Sequence, residues 1–337
     1  MIYSWHEREF AQMLARKERL PHALLVRGPE GIGKVGFAEA LAAALLCEDP
    51  GRQGAACGRC AACGWMTQDS HPDFRRLAPE ALGGSGENDE EGRERKASLQ
   101  IPVDAVRGIS AFVTMSSHRS GAKVVLIHPA EALNVNAANA LLKNLEEPPP
   151  RTYFVLVAHR WHDLPATVRS RCEHVVLGIP DAATARDWLE REGVRDPALS
   201  LAQAGGMPLL AREFDDAYWQ TRHDFLAAIT SPEFAPLEAA ERLRECAPAL
   251  AAGWMQKWSF DLALRKLTGR ARYNPDYADQ IAATAAQLDA REALRFHRAA
   301  VQLQRIVSHP LNPRLFVEQL LLEYAGLLRR PALDPAE

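Results

Sequence analysis

Residues 28–35 read Gly-Pro-Glu-Gly-Ile-Gly-Lys-Val, a G-x-x-x-x-G-K run, and what flanks it constrains the fold more than any other feature of the chain. Before it stands a short apolar run, His22 to Arg27 (HALLVR), with the form of a buried strand. After it, Lys34 to Leu46 are helix formers with Phe37, Leu41 and Leu45 recurring at every fourth position. A glycine loop joining strand to helix turns backbone amides toward an anion. The helix N-terminus adds partial positive charge, and Lys34 would meet terminal phosphates. Gly28 and Gly33 are the glycines that define the loop; a chance glycine turn is the plain alternative.

The residue after the lysine matters next. A hydrolysing loop needs Ser or Thr there, because the hydroxyl ligates Mg²⁺ beside the β- and γ-phosphates. This chain has Val35, which carries no oxygen. A second strand, Lys123 to Ile127 (KVVLI), should end in an Asp that helps hold the metal, followed in AAA+ ATPases by a Glu that polarises water. His128 and Pro129 occupy those two places. Imidazole is a poor partner for a hard cation, and proline offers no base. Glu131 is expected to face solvent or cap a helix. The metal hydroxyl, the metal carboxylate and the base are all absent, which leaves hydrolysis without its electrostatic machinery. ATP binding is therefore expected to be weak or absent.

Further strands and helices alternate through the front half. Ser4-Trp5-His6-Glu7 has the capping-box pattern and introduces a helix to about Lys17 with Phe10, Met13 and Leu14 on one side. Ile101 to Met115 has helical spacing at Val103, Val106, Ile109 and Val113. Asn136 to Glu147 is helical and stops before Pro148-Pro149-Pro150, while Tyr153 to Ala158 and His174 to Leu177 read as strands. Such alternation predicts a parallel sheet covered on both faces. Residues 80–98, glycine-rich and charged, are expected to form a mobile surface insertion. After Pro180 the texture becomes Ala-, Leu- and Arg-rich with helical periodicity, so an α/β front precedes an all-α back.

Cys47, Cys57, Cys60 and Cys63 form C-x9-C-x2-C-x2-C. Four thiolates at this spacing suit a tetrahedral, closed, structural Zn²⁺ site, with free thiols or an iron–sulfur cluster as the alternatives. Cys172 and Cys246 are isolated and read as small buried hydrophobes. Trp254 and Trp258, four residues apart, read as core rather than as a base-stacking platform. Lys257, Arg265, Lys266, Arg270 and Arg272 make a loose basic stretch whose default is a solvated helix face.

The formal net charge of −3 and the pI near 6.4 argue against a free-standing nucleic-acid binder, which is usually strongly basic. There is no run of 18 apolar residues, hence no membrane span, and the first residues lack the pattern of a secretory signal. A cytoplasmic location is expected.

The order of these motifs resembles the clamp-loader branch of the AAA+ family. The resemblance rests on the loop after HALLVRG, the four cysteines behind it, and Ala138 to Lys143 leading into Leu145-Glu146-Glu147-Pro148-Pro149. It rests also on Ser170-Arg171-Cys172 and on Leu311-Asn312-Pro313-Arg314-Leu315. Tau/gamma ATPase subunits share much of this set but keep Ser or Thr after the lysine and the Asp-Glu pair. The departures at Val35, His128 and Pro129 point to the delta-prime branch.

That resemblance implies an AAA+ RecA-like parallel-sheet core with a zinc module over 1–178 (cysteines at 47–63), a helical lid over 179–212 and a helical collar over 213–337. It implies a non-hydrolysing stator in a ring of five with tau/gamma and delta subunits, which places the sliding clamp on primed DNA within DNA polymerase III. It implies that Arg171 acts as an arginine finger in trans on a neighbour's ATP; Arg169 is the local competitor, and the motif alone favours Arg171. An active ATPase of tau/gamma type with an unusual metal site is the alternative.

Overall fold

The structure is a computed structural model that describes residues 2–51, 53–83, 98–119, 121–307 and 312–329. Residues 84–97, most of the expected insertion, and Leu311 of the C-terminal motif lie outside the described residues. The chain divides into two compact units, Met1–Asp181 and Ala182–Glu337.

In the first unit, five strands form one parallel sheet: β1 (Ala23–Arg27), β2 (Phe74–Leu77), β3 (Lys123–Ile127), β4 (Thr152–Ala158) and β5 (Glu173–Val176), in the order β2-β3-β4-β1-β5. The helices between them are α1 (Glu7–Ala15), α2 (Lys34–Leu46), α3 (Ala61–Thr67), α4 (Val103–Thr114), α5 (Val135–Glu146) and the single turn α6 (Ala166–Arg169). The apolar runs are near-continuous because these strands are buried on both faces. In β1, Leu24, Leu25 and Val26 are each 0% exposed. Alternation along the strand then divides them. Ala23 and Leu25, with Phe154 and Leu156 of β4, pack against Val106 and Ile109 of α4 and Leu141 and Leu145 of α5. On the sheet, Val26 lies between Val157 and Val175. Phe37 and Leu41 of α2 are buried, and α2 packs on β1, β3 and β4.

One local expectation needs correction, and one strand went unread. Ser4 does not form a capping box with Glu7; it lies in a 3-10 turn, α1 starts at Glu7 after His6, and no side chain caps either start. The flanking rings hold this entry instead: Trp5 Nε1 donates to the Ile32 carbonyl at 2.9 Å, and His6 Nε2 lies 2.8 Å from the same oxygen. Strand β2 (FRRL) was not visible in the sequence. Phe74 and Leu77 are buried, with two arginines between them, so the two-residue period is broken at a sheet edge.

The second unit is all helical, as its texture implied: α7 (Ala182–Arg191), α8 (Pro197–Gln203), α9 (Pro208–Arg212), α10 (Asp216–Thr230), α11 (Pro236–Arg242), α12 (Pro248–Thr268), α13 (Ala278–Ala286), α14 (Ala290–Ile306) and α15 (Pro313–Leu328). A small cluster joins α7, α8 and α9 through Ala185, Leu189, Leu201 and Ala211. A larger one is built on α12, where Trp254 and Trp258 are at most 2% exposed. Their indole N–H groups donate to the hydroxyls of Tyr218 at 2.9 Å and Tyr324 at 3.1 Å. Both are core residues, as their spacing implied. Among the described residues no helix is long and apolar enough to cross a membrane.

Candidate functional site

Open parallel sheets bind ligands beyond the carboxyl ends of their strands. Four residues at those ends meet here: Gly28 after β1, His128 after β3, His159 after β4 and Leu177 after β5. Gly28 is required by space as well as by its φ of 155°, since a Cβ there would lie 2.3 Å from the Leu177 carbonyl oxygen. Gly33, at φ 95°, is the residue before α2, and a Cβ on it would meet the Tyr3 ring at 2.4 Å. The N-terminal segment therefore lies directly on the phosphate loop. Tyr3 stacks on Trp5 at 4.8 Å, and Trp5 and His6 hold the Ile32 carbonyl.

Lys34 is 2% exposed and its Nζ donates to the Pro29 carbonyl within the loop itself. Burial pushes its pKa down to about 8, opposed by the charges of Glu30 and Glu131. Val35 follows, half-buried, with nothing to offer a cation.

Across the crevice, His128 Nε2 lies 3.0 Å from His159 Nε2 in an edge-on arrangement of the two rings. One ring donates and the other accepts, which requires at least the accepting ring to be neutral. Burial pushes both pKa values down to about 4; Lys34 and the neighbouring imidazole add to the effect on His128, and Lys34 and Arg160 to that on His159. Pro129 follows His128 and supplies no acid or base. Glu131 neither faces solvent nor caps a helix: it turns back to accept the backbone N–H groups of His159 (3.0 Å) and Arg160 (2.9 Å). It therefore fixes the end of β4 and is not free to steer a water. His159 escaped sequence reasoning because its partner is 31 residues away. The adjacency of β3 and β4 was the signal that could have found it.

The four cysteines converge. Cys47 follows α2, Cys57 and Cys60 lie in the next loop, and Cys63 sits in the first turn of α3. Sulfur–sulfur distances are 3.7 Å for Cys47–Cys63 and 3.9 Å for both Cys47–Cys60 and Cys57–Cys63. All four sulfurs lie within 4.8 Å of one another, close enough to hold one metal ion. These are the edges of a sulfur tetrahedron and far exceed a disulfide bond of about 2 Å. Backbone N–H groups of Cys57, Cys60 and Cys63 donate to the sulfurs of Cys47, Cys57 and Cys60 at 3.3, 3.3 and 3.5 Å. Such donors stabilise thiolates. Cys172 and Cys246 stand apart and buried, their thiols pushed up to about 12 and about 11 by burial.

Arg171 lies just after α6, half-buried, and forms an ion pair with Glu146 at the end of α5, with Nε donating at 2.7 Å and Nη1 reaching the Thr167 carbonyl at 2.9 Å. Arg169, its competitor, lies over the Trp161 ring at 5.2 Å, with Arg27 on the same ring at 4.3 Å.

A five-stranded parallel sheet of this order, with its glycine loop leaving a strand flanked by β4 and β5, is an α/β fold of the AAA+ kind, followed here by a helical C-terminal domain. Family models described as the DNA polymerase III delta subunit match residues 6–180 and, for its C-terminal part, 216–325. The chain is 33% identical to DNA polymerase III subunit delta' of Escherichia coli over 99% of its own length and 98% of that protein. With the delta' subunit of Pseudomonas aeruginosa it shares 41% identity over 63% of this chain, and with that of Haemophilus influenzae 36% over 61%. In those two alignments the chain spans about three fifths of the relative's length, 60% and 58%. The chain belongs to the delta-prime family of DNA polymerase III subunits.

Proposed function

We propose that this chain is the non-hydrolysing stator of a DNA polymerase III clamp loader. In this reading residues 1–178 form the AAA+ core, 179–212 a lid and 213–337 a collar that joins tau/gamma and delta subunits in a pentameric ring. The assembled ring loads the sliding clamp on primed DNA, with this chain as scaffold.

The observation that carries the reading is the state of the loop. Lys34 is engaged by Pro29, Val35 lacks an oxygen, and the His128 imidazole is engaged by His159. Phosphoryl transfer needs a metal held beside the terminal phosphates and a group that orients water. Neither has a residue to supply it here, so the purified chain has no ATP turnover.

Arg171 is assigned the arginine finger in trans on the resemblance of Ser170-Arg171-Cys172. A guanidinium that leaves Glu146 for a neighbour's γ-phosphate would exchange one carboxylate for charge that grows in the transition state. Such fingers contribute roughly 10³ to 10⁵ in rate. Zn²⁺ is assigned to Cys47, Cys57, Cys60 and Cys63. Zinc–sulfur bonds of about 2.3 Å give tetrahedral edges of about 3.8 Å, in line with 3.7–3.9 Å for the sulfurs. Four protein ligands leave no open position, so the metal is structural.

The test is reconstitution with tau/gamma and delta subunits, comparing the native chain with Arg171→Ala. Assembly by gel filtration is expected to be unchanged, while DNA-stimulated ATP turnover falls by tenfold or more, since a finger acts on the transition state. Unchanged turnover removes the finger assignment. Failure of the native chain to assemble removes the stator assignment.

A further inference from the structure

The second unit contains a partly open cavity that the stator role does not use. It has a volume of about 590 Å³, within the ordinary range for small-molecule sites, and lies among α8, α9, α10, α12 and α14. Its walls are aromatic: Phe214, Trp254, Phe260 and Tyr273 line it. The lining rings pack on one another, with Phe214 stacked on Tyr218 at 4.1 Å and Phe260 edge-on to Tyr273 at 5.3 Å.

Among these walls stands one cation, Lys257. Its ammonium has no carboxylate within ion-pair distance among the described residues. Its neighbours are the Phe214 ring at 5.9 Å and, with the Gln203 amide turned to satisfy both its ends, the Gln203 oxygen at 3.3 Å. In that orientation Gln203 also accepts from Tyr218 and donates to the Tyr273 carbonyl, so it is fully engaged. The nearby Arg222 is bound to Asp276 and Asn274 and does not compete for an anion. A cation held among apolar walls with one neutral partner is poorly compensated, and burial pushes its pKa down to about 8. A second lining residue, Gln304, has a buried side-chain oxygen with no donor. The cavity thus offers one positive charge, one spare acceptor and an aromatic lining.

We propose that this cavity binds a compact apolar carboxylate, an aryl- or indolyl-alkanoate monoanion. Its carboxylate pairs with Lys257 and its ring lies among Phe214, Trp254, Phe260 and Tyr273. A phosphate ester fits poorly, because a dianion calls for several charged donors and a fork such as arginine supplies. An indole N–H on the ligand would satisfy Gln304.

The test uses the full chain and titration calorimetry with 3-phenylpropionate and indole-3-propionate, and with 3-phenylpropionamide as the neutral analogue. Saturable binding of one acid per chain is expected, at least tenfold tighter than the amide, with quenching of Trp254 fluorescence. Lys257→Met keeps the apolar stem and is expected to lose tenfold or more in affinity for the acids while the amide is unaffected. No saturable binding of either acid at millimolar concentration overturns the proposal. So does equal affinity for acid and amide in the native chain, a comparison that does not depend on the variant folding.

Discussion

His128 follows β3, the place that the sequence reading compares with a metal-binding carboxylate, and its ring meets the His159 imidazole. The pair has a consequence for stability. Each ring titrates near 6.5 when the chain is unfolded and near 4 when folded, because burial and Lys34 disfavour the cation. Below pH 6.5 the unfolded chain takes up protons that the folded chain refuses, so the contribution is complete above 6.5 and is lost as pH falls to about 4. Lys34, Arg76 and Arg160 oppose protonation and Glu131 favours it. His159→Gln removes one of the two titrating rings. Urea unfolding at pH 7 and at pH 4.5 is expected to show that the loss of stability between them shrinks by about 1–2 kcal/mol in the variant, allowing for solvent screening. An unchanged difference would show that these rings titrate freely in the folded state. Neither partner's role was legible alone: the sequence marked His128 by what it replaces, but it cannot pair the ends of strands.

At the scale of the element, what could be read was what is buried on both sides. Strands β1, β3 and β4 and helix α2 appeared within a residue or two of their observed ends, because doubly covered strands and the helix on them leave long apolar or strongly periodic signals. The edge strand β2 left none, since Arg75 and Arg76 separate its two buried residues; Arg76 reaches Glu39 on α2 at 2.8 Å. Helix α3 was hidden by the cysteines that position it: Cys60 is its N-cap residue and accepts the N–H of Cys63 through sulfur. With zinc in the proposed site, that double use would make the loop and helix depend on the metal. Replacing Cys60 by Ser substitutes a ligand that is not a thiolate at neutral pH and leaves three sulfurs around the ion. Zinc is expected to fall from about one per chain to a small fraction of that after dialysis against a mild chelator, measured by atomic emission. Cleavage by a protease within residues 47–67 should accelerate, while the sheet keeps its circular dichroism. Full zinc retention would mean that the sulfurs converge for another reason.

At the scale of the whole molecule, the division into an α/β front and a helical back was visible in texture, but the pairing of the helices was not. Periodicity says which face of a helix is covered and never by what. The larger core of the second unit depends on one polar anchor that no pattern announces. Asp261 on α12 is 0% exposed, and its carboxylate accepts the backbone N–H groups of Arg272 at 2.7 Å, Tyr273 at 3.0 Å and Asn274 at 2.8 Å, together with the Asn274 side-chain amide at 2.8 Å. Asn274 in turn accepts from Arg222, which also holds Asp276, so one carboxylate organises the chain between α12 and α13 and ties it to α10. Removing it strands several donors away from water, each costing about 1–3 kcal/mol if left unpaired. Asp261→Ala is therefore expected to lose about 3–5 kcal/mol after relaxation, read from urea unfolding by the fluorescence of Trp254 and Trp258, which share that core. Asp261→Asn keeps one acceptor oxygen and should lose less. Zinc content, which depends on the other unit, should not change. A loss below about 1 kcal/mol in the alanine variant would mean that water reaches the loop and the anchor is dispensable.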